Sequence, residues 1–291
     1  CRKVARYKEA VFALTGTPVI NSTQDVFSLL CLIGQDTKFG TDKEFRYRYI
    51  DTMNTKMGAQ MQRELNQKLN ATCYLKREKK HVQQDLPPKI RQEIYVPLTN
   101  EPEYILAKND LASFLKKTTL KTDKEIGKTL ANERFTKIMY LKKVAARGKI
   151  EAGIDLAESI LENGEKVVLF AHHKEIVSAL LTHFQKDGAV SIDGDTSPEQ
   201  VNRNVEAFQK NADTKVIVCS IRAAGVGLTL TAASKVIFFE LDWTPAGMEQ
   251  AEDRCHRINT KDTVNCYYLL GEDTIDTKIN NIIKRKRALA N

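Results

Sequence analysis

The sequence predicts an α/β fold: a parallel β-sheet with flanking helices in its second half, preceded by mainly helical structure. Three observations carry this. Val216–Cys219 and Val236–Phe239 are short apolar runs rich in β-branched and aromatic residues, the composition of strands buried on both faces. From residue 166 onward such runs alternate with segments that read as helices. The spacing between them fits right-handed crossovers, which parallel neighbours require.

In chain order, Val11-Phe12-Ala13-Leu14 reads as a core strand that delivers Thr15-Gly16-Thr17-Pro18 to its carboxyl end, and Asp25–Leu30 as a helix. Residues 41–75 place Phe45, Tyr49, Met57, Met61, Leu65 and Leu69 at helical spacing, an amphipathic face whose methionines are read as core filler. A basic run from Leu75 to Val82 leads to Leu86-Pro87-Pro88-Lys89, where paired prolines break regular structure. Ile94-Tyr95-Val96 supports a strand. From Glu101 to about residue 163 the chain is mostly helical, with Pro102 suited to a first turn and long helices at 133–147 and 150–161 broken near Gly148.

Next come a strand at 166–171, a helix at 175–185 and a short strand at 189–192. The helix at 198–208 has Thr196 or Ser197 as its N-cap and Glu199 in its first turn. After the strands near 216 and 236, Asp242-Trp243-Thr244-Pro245 makes a turn into a helix carrying Gln250, Arg254 and Arg257. Their spacing of four and three puts all three on one helical face, pointing to the mouth of the sheet. A strand at 264–270 and a helix from Asp273 to about Leu289, with Lys284-Arg285-Lys286-Arg287 near its end, close the chain.

At 291 residues, two compact units are expected. Against 37 Asp and Glu stand 45 Lys and Arg, a net charge of +8 that favours an anionic partner, nucleic acid first. No apolar run approaches the ~18 residues of a membrane span, and no signal-peptide core follows Cys1-Arg2-Lys3. The expected location is intracellular: cytoplasmic in a prokaryote or virus, nuclear in a eukaryote. Cys1 is not an initiator methionine, so the chain is read as beginning inside a longer protein. Six scattered cysteines without a C-x-x-C pair point to reduced thiols rather than a disulfide framework or structural zinc. His172 and His173 have no third ligand near in sequence, so no metal site is read there.

Between two strands, Ser220-Ile221-Arg222-Ala223-Ala224-Gly225-Val226-Gly227-Leu228-Thr229 offers two glycines that allow close approach to a phosphate. The series S-x-x-A-x-G-x-G-L-x-L-x-x-A, then W-x-P, then Q-A-x-x-R-x-x-R-I resembles the second RecA-like lobe of Swi/Snf-type ATPases, superfamily-two DNA translocases, and within them the branch related to annealing helicases. L-T-G-T-P at residues 14–18 resembles the third helicase motif, L-P-P-K at 86–89 the interlobe segment, and F-A-H-H at 170–173 the fourth motif. The chain departs from the pattern at Asn259-Thr260, where the family usually continues Gly-Gln, and at Ala224, where many members have glycine.

The resemblance implies three parts: residues 1–86 as the tail of lobe one with a helical insertion, 87–163 as an interlobe helical region, and 164–291 as a RecA-like lobe two. It implies that Arg254 and Arg257 are the catalytic arginines reaching the ATP phosphates. Gly225, Gly227 and Gln250 would bind ATP, while Ser220, Arg222, His172, Thr196 and Trp243 would contact DNA. Thr15, Gly16 and Thr17 would couple ATP state to DNA grip. The implied ligands are ATP with Mg, held mainly by upstream residues, and double-stranded or branched DNA; the implied state is a monomer.

Gly127-Lys128-Thr129 mimics the end of a phosphate loop, but Thr122 stands where the earlier glycine is required and no Asp-Glu box occurs. This stretch by itself is therefore expected not to hydrolyse ATP. The alternative from another class is a non-catalytic nucleic-acid-binding or protein-interaction module on the same lobe fold. The missing phosphate loop supports that alternative; the arginines and glycines argue against it.

Overall fold

The computed structural model describes residues 5, 7–15, 23–52, 57–75, 77, 82–83, 85–118, 133–221, 223, 227–258 and 260–290. They fall into two compact units, Cys1–Gln84 and Asp85–Asn291.

The first unit is helical. α1 (Gln24–Leu32), α2 (Asp42–Arg46) and α3 (Gly58–Thr72) surround an aromatic core of Phe27, Phe45 and Tyr49, with ring centroids 4.8 and 5.0 Å apart. Thr41 and Glu44 close a capping box at the start of α2. The amphipathic face is present in part: Phe45, Tyr49, Leu65 and Leu69 are buried, but Met57 is exposed. The reason is a break in the helix. A single π-turn at Tyr47–Asp51 shifts the register, and Met57 stands before the first residue of α3.

Val11–Leu14 is not a strand. The segment is irregular, with Phe12 and Leu14 exposed. A strand needs a neighbour to complete its ladder, and all strands among the described residues lie in the other unit. Gly16 and Thr17, and most of the basic run at 75–82, lie outside the described residues.

The second unit is a six-stranded, all-parallel sheet of order β1-β6-β5-β2-β4-β3. Its strands are β1 (Lys89–Val96), β2 (Val167–Ala171), β3 (Val190–Ile192), β4 (Val216–Ser220), β5 (Lys235–Phe238) and β6 (Val264–Gly271). Alternation explains its two cores. Val168, Phe170, Ile217, Cys219, Val236 and Phe238 face one hydrophobic cluster, while Val167, Leu169, Val216, Val218 and Ile237 face the other. Each such fully buried side chain contributes about 1.5–3 kcal/mol of burial free energy.

The helices are α4 (Glu101–Asn109), α5 (Leu111–Thr118), α6 (Glu133–Gly148), α7 (Ile150–Glu162), α8 (Lys174–His183), α9 (Pro198–Lys210), α10 (Pro245–Glu252) and α11 (Ile275–Ala290). Ser197 caps α9, its hydroxyl accepting from Gln200 N. The sequence reading put residues 87–163 in an interlobe region. Here β1 pairs along its whole length with β6, and α7 packs on β2 and β5. Gly153 of α7 permits that approach, because a Cβ there would lie 2.1 Å from the Phe239 ring. Two buried lysines anchor this region to the strand ends. Lys142 Nζ donates to Leu241 O at 2.7 Å, and Lys149 Nζ to Leu269 O at 2.8 Å and to the Asp276 carboxylate at 2.5 Å. No helix among the described residues is long and apolar enough to cross a membrane.

Candidate active site

The carboxyl ends of β2, β3 and β4 carry His172, Thr196 and Ser220 on adjacent strand-to-helix loops. The loop after β2 is held by Glu240, a buried carboxylate just beyond β5. It accepts from the His172 and His173 amides at 2.7 and 2.9 Å and meets the His173 ring Nδ1 at 2.5 Å. Burial alone would raise the Glu240 carboxyl; the His173 ring and the two amides outweigh it and bring it down to about 2. The Thr196 hydroxyl is engaged within its own loop, accepting from Asp193 N at 3.0 Å and donating to Asp193 Oδ1 at 2.9 Å.

A depressed folded pKa stabilises the fold above the unfolded value near 4.3 and is lost as pH falls through the folded value. Glu240 should therefore stabilise this unit fully at neutral pH, by roughly 3 kcal/mol. That contribution should disappear between about pH 5 and 2. Denaturant titrations across that window should show a steep acid limb that Glu240→Gln flattens; an unchanged limb in the variant would count against this account.

Arg254 and Arg257 depart from the expectation. α10 begins after β5, where the Thr244 hydroxyl accepts from Gly247 N at 3.2 Å, and stops at Glu252. Both arginines lie in the turn that follows, so they do not share a helical face with Gln250. The backbone tightens because Arg254 N and Cys255 N reach back only three residues, to Ala251 O and Glu252 O, while the Cys255 side chain is buried. Nor does the turn sit at the carboxyl mouth of the sheet. Eight helical residues run back about 12 Å along it. The turn arrives beside the starts of β1 and β6, where Lys89 Nζ meets Asp253 Oδ1 at 2.9 Å and the His256 ring Nε2 meets Pro87 O at 2.7 Å.

The Arg257 guanidinium and the Arg254 backbone nevertheless meet the end of the glycine loop, and the two arginine charges feel each other. Arg257 Nη1 donates to Thr229 Oγ1 at 2.9 Å, and Arg254 O accepts from Leu230 N at 2.8 Å. Arg254 is buried, at 7% exposed. Burial lowers its pKa, the charge of Arg257 lowers it further, and Asp253 offsets part of this. A guanidinium so placed keeps its proton and gains from an arriving anion.

Beneath the turn lies a charge cluster that sequence reasoning missed. Glu252 is fully buried. Its carboxylate takes a bidentate pair from Arg91 (Nε at 2.9 Å, Nη2 at 2.7 Å), Lys89 Nζ at 2.8 Å, Arg287 Nη2 at 3.4 Å and the Tyr268 hydroxyl. Burial pushes the Glu252 carboxyl up, but Arg91 and Lys89 outweigh it and hold it at about 2. Arg287, from the basic end of the last helix, is thus engaged in this cluster. The available signal was Glu252 itself, an acid flanked by Ala251 and the apolar face of α10.

Of the other predicted residues, Gly227 is exposed, and among the described residues, its chain neighbours aside, no atom lies within 4 Å of where a Cβ would stand. Trp243 is half-buried, and the Lys142 ammonium lies 4.7 Å from its ring centroid, so one face of the ring is covered from within. Gln250 is half-buried on α10, and Thr15 is exposed in the first unit. Arg222 and Gly225 lie outside the described residues.

Residues 7–149 match the SNF2-related domain, and residues 148–259 match the helicase conserved C-terminal domain. The chain belongs to the SNF2-related family of helicase-like ATPases. It is 34% identical to the DNA annealing helicase and endonuclease ZRANB3 of Bos taurus over 97% of the chain, which spans 27% of that protein. It is 29% identical to the SWI/SNF-related matrix-associated actin-dependent regulator of chromatin subfamily A-like protein 1 of Drosophila melanogaster over 98% of the chain, spanning 38% of that protein. The Sulfolobus solfataricus SWI2/SNF2 ATPase core solved in complex with dsDNA superposes with a TM-score of 0.52 at 26% identity, over 95% of this chain and 61% of that one. The C-terminal part of the Fun30 ATPase domain shares the fold, with a TM-score of 0.55 at 20% identity over 68% of this chain and 90% of that one. In this SNF2-family chain, therefore, the helicase conserved C-terminal match takes in β2 to β5, the glycine loop and the arginine turn.

Proposed function

We propose that this chain is the C-terminal portion of an ATP-driven double-stranded-DNA translocase, with Arg254 and Arg257 acting on the ATP phosphates. The observation that carries the reading is the arginine turn: two arginines whose charges interact, Arg254 buried and Arg257 joined by its guanidinium to Thr229 of the glycine loop. Planar guanidinium forks suit a transferring phosphoryl group, stabilising charge without exchanging protons. ATP is the substrate; Mg would neutralise phosphate charge and be held mainly by residues upstream. The chain's own contribution is the arginine pair and, near Gly227 and Gln250, a surface for the nucleotide.

DNA would lie along the loops bearing His172, Thr196 and Ser220, on the opposite edge of the sheet from the arginine turn. Hydroxyl and imidazole groups there fit backbone phosphate rather than base edges, making movement independent of sequence. The protein would act as a monomer on double-stranded or branched DNA, in the nucleus if its source is a eukaryote. Fluorescence-anisotropy titration of this chain with duplexes of unrelated sequence should give equal affinities. These should fall with rising salt, with a log–log slope of about −0.9 for each phosphate neutralised. Salt-independent binding, or strong preference for one sequence, would overturn the DNA part of the proposal.

A further inference from the structure

The link between the two compact units falls at Gln84–Asp85. The chain that enters the second unit there is fastened directly to the arginine turn. Pro87 O meets the ring Nε2 of His256, the residue just before Arg257, at 2.7 Å. Pro88 O accepts from Val264 N at 3.0 Å, starting the β1–β6 ladder. Lys89 Nζ bridges Glu252 and Asp253 at 2.8 and 2.9 Å. Arg91, two residues on, grips Glu252 from β1. Glu252 is also the backbone anchor of the turn, its carbonyl accepting from Cys255 N and His256 N at 3.1 and 3.2 Å.

Within seven residues of entering the unit, then, at Pro87, Lys89 and Arg91, the chain makes three polar attachments to the turn and to Glu252 at its base, each more than 160 positions away in sequence. Two prolines stiffen the intervening segment, fixing φ at positions 87 and 88. A displacement at residue 85 has little slack in which to dissipate before it reaches Pro87 O and Lys89.

We propose that Lys89 and His256 are positioning residues that couple the link between the units to the placement of Arg254 and Arg257. Motion of the entering chain, driven by DNA engagement, would be converted into motion of the arginine turn. The inference rests on the arginine pair acting in ATP turnover, and adds the route by which DNA state reaches it.

The test uses the full-length ATPase that carries this chain. Lys89→Met removes the bridge while Arg91, Arg287 and Tyr268 still hold Glu252, and His256→Phe removes the donor to Pro87 at similar ring volume. Both should lower the ratio of DNA-stimulated to DNA-free turnover by on the order of ten- to a hundredfold, the scale of loss from misplacing a catalytic group by an ångström. The KM for ATP and DNA affinity of the Lys89→Met protein should stay at wild-type values, its melting temperature should fall only modestly so that it remains folded at assay temperature, and Lys89→Arg should restore the ratio. A merely structural role would instead lower both rates together, in proportion to the unfolded fraction. An undiminished ratio in Lys89→Met, or a loss that tracks the unfolded fraction, overturns the coupling. A wild-type protein with no DNA-stimulated turnover overturns the underlying translocase reading instead, and this inference with it.

Discussion

Glu252→Ala should destabilise the second unit by about 3–5 kcal/mol, the cost of leaving buried opposite charges without their partner. Arg91, Lys89 and Arg287 all converge on that one carboxylate, which is itself fully buried, so its removal leaves three cations crowded around an apolar gap. For a unit of this size the melting temperature should fall by roughly 10 °C. Glu252→Ala combined with Arg91→Met should cost less than the two single changes added, because removing one cation relieves the repulsion the other change created. Calorimetry of the four proteins measures both quantities. A Glu252→Ala protein that melts with the wild type would show that the arginine turn is fixed by something other than this cluster.

Much of the sheet was legible because its strands report themselves locally. β2 and β4 are apolar runs buried on both faces, β5 and β6 are mostly so despite Lys235 and Asn265, and the structure moves their limits by only a residue or so. β1 was seen only as Ile94–Val96, although it begins at Lys89. As an edge strand it exposes Ile90, Arg91, Gln92 and Tyr95, so neither continuous burial nor clean alternation marks it. For the residues of the candidate site, spacing along the chain misled the reading of their geometry. Gln250, Arg254 and Arg257 do have helical spacing, but a helix persists only while its surroundings favour it. Here Leu230 takes the Arg254 carbonyl, and Cys255 turns into the core. The Glu252 cluster was invisible for the same reason: its partner Arg91 is 161 positions away, and periodicity carries no information about such pairs. Glu240 presents the same case, since the groups that explain its burial are two amides and a ring from the loop after β2.

Arg257→Ala and Arg254→Ala should each reduce DNA-stimulated ATP hydrolysis in the full-length protein by on the order of 10³-fold, the loss expected when a phosphate-stabilising arginine is removed. The competing explanation is that these arginines serve the fold by pairing with Glu252 or Asp253. The contacts weigh against it for Arg257. Glu252 is engaged by Lys89, Arg91 and Arg287, Asp253 is bridged by Lys89, and Arg257 donates to the Thr229 hydroxyl of the glycine loop. Losing one guanidinium-donated hydrogen bond at a half-buried position costs about 1.5–3 kcal/mol, so Arg257→Ala should stay folded at assay temperature. DNA affinity should change little, because His172, Thr196 and Ser220 stand on the opposite edge of the sheet. Arg257→Lys should fail almost as badly, since an ammonium keeps the charge but loses the planar fork. Arg254 demands more care, being buried, and its variants should be assayed beside their own melting curves. If hydrolysis falls only in proportion to the unfolded fraction, the arginines are structural. A stable Arg257→Ala protein that hydrolyses ATP at the wild-type rate would remove the turn from the catalytic machinery altogether.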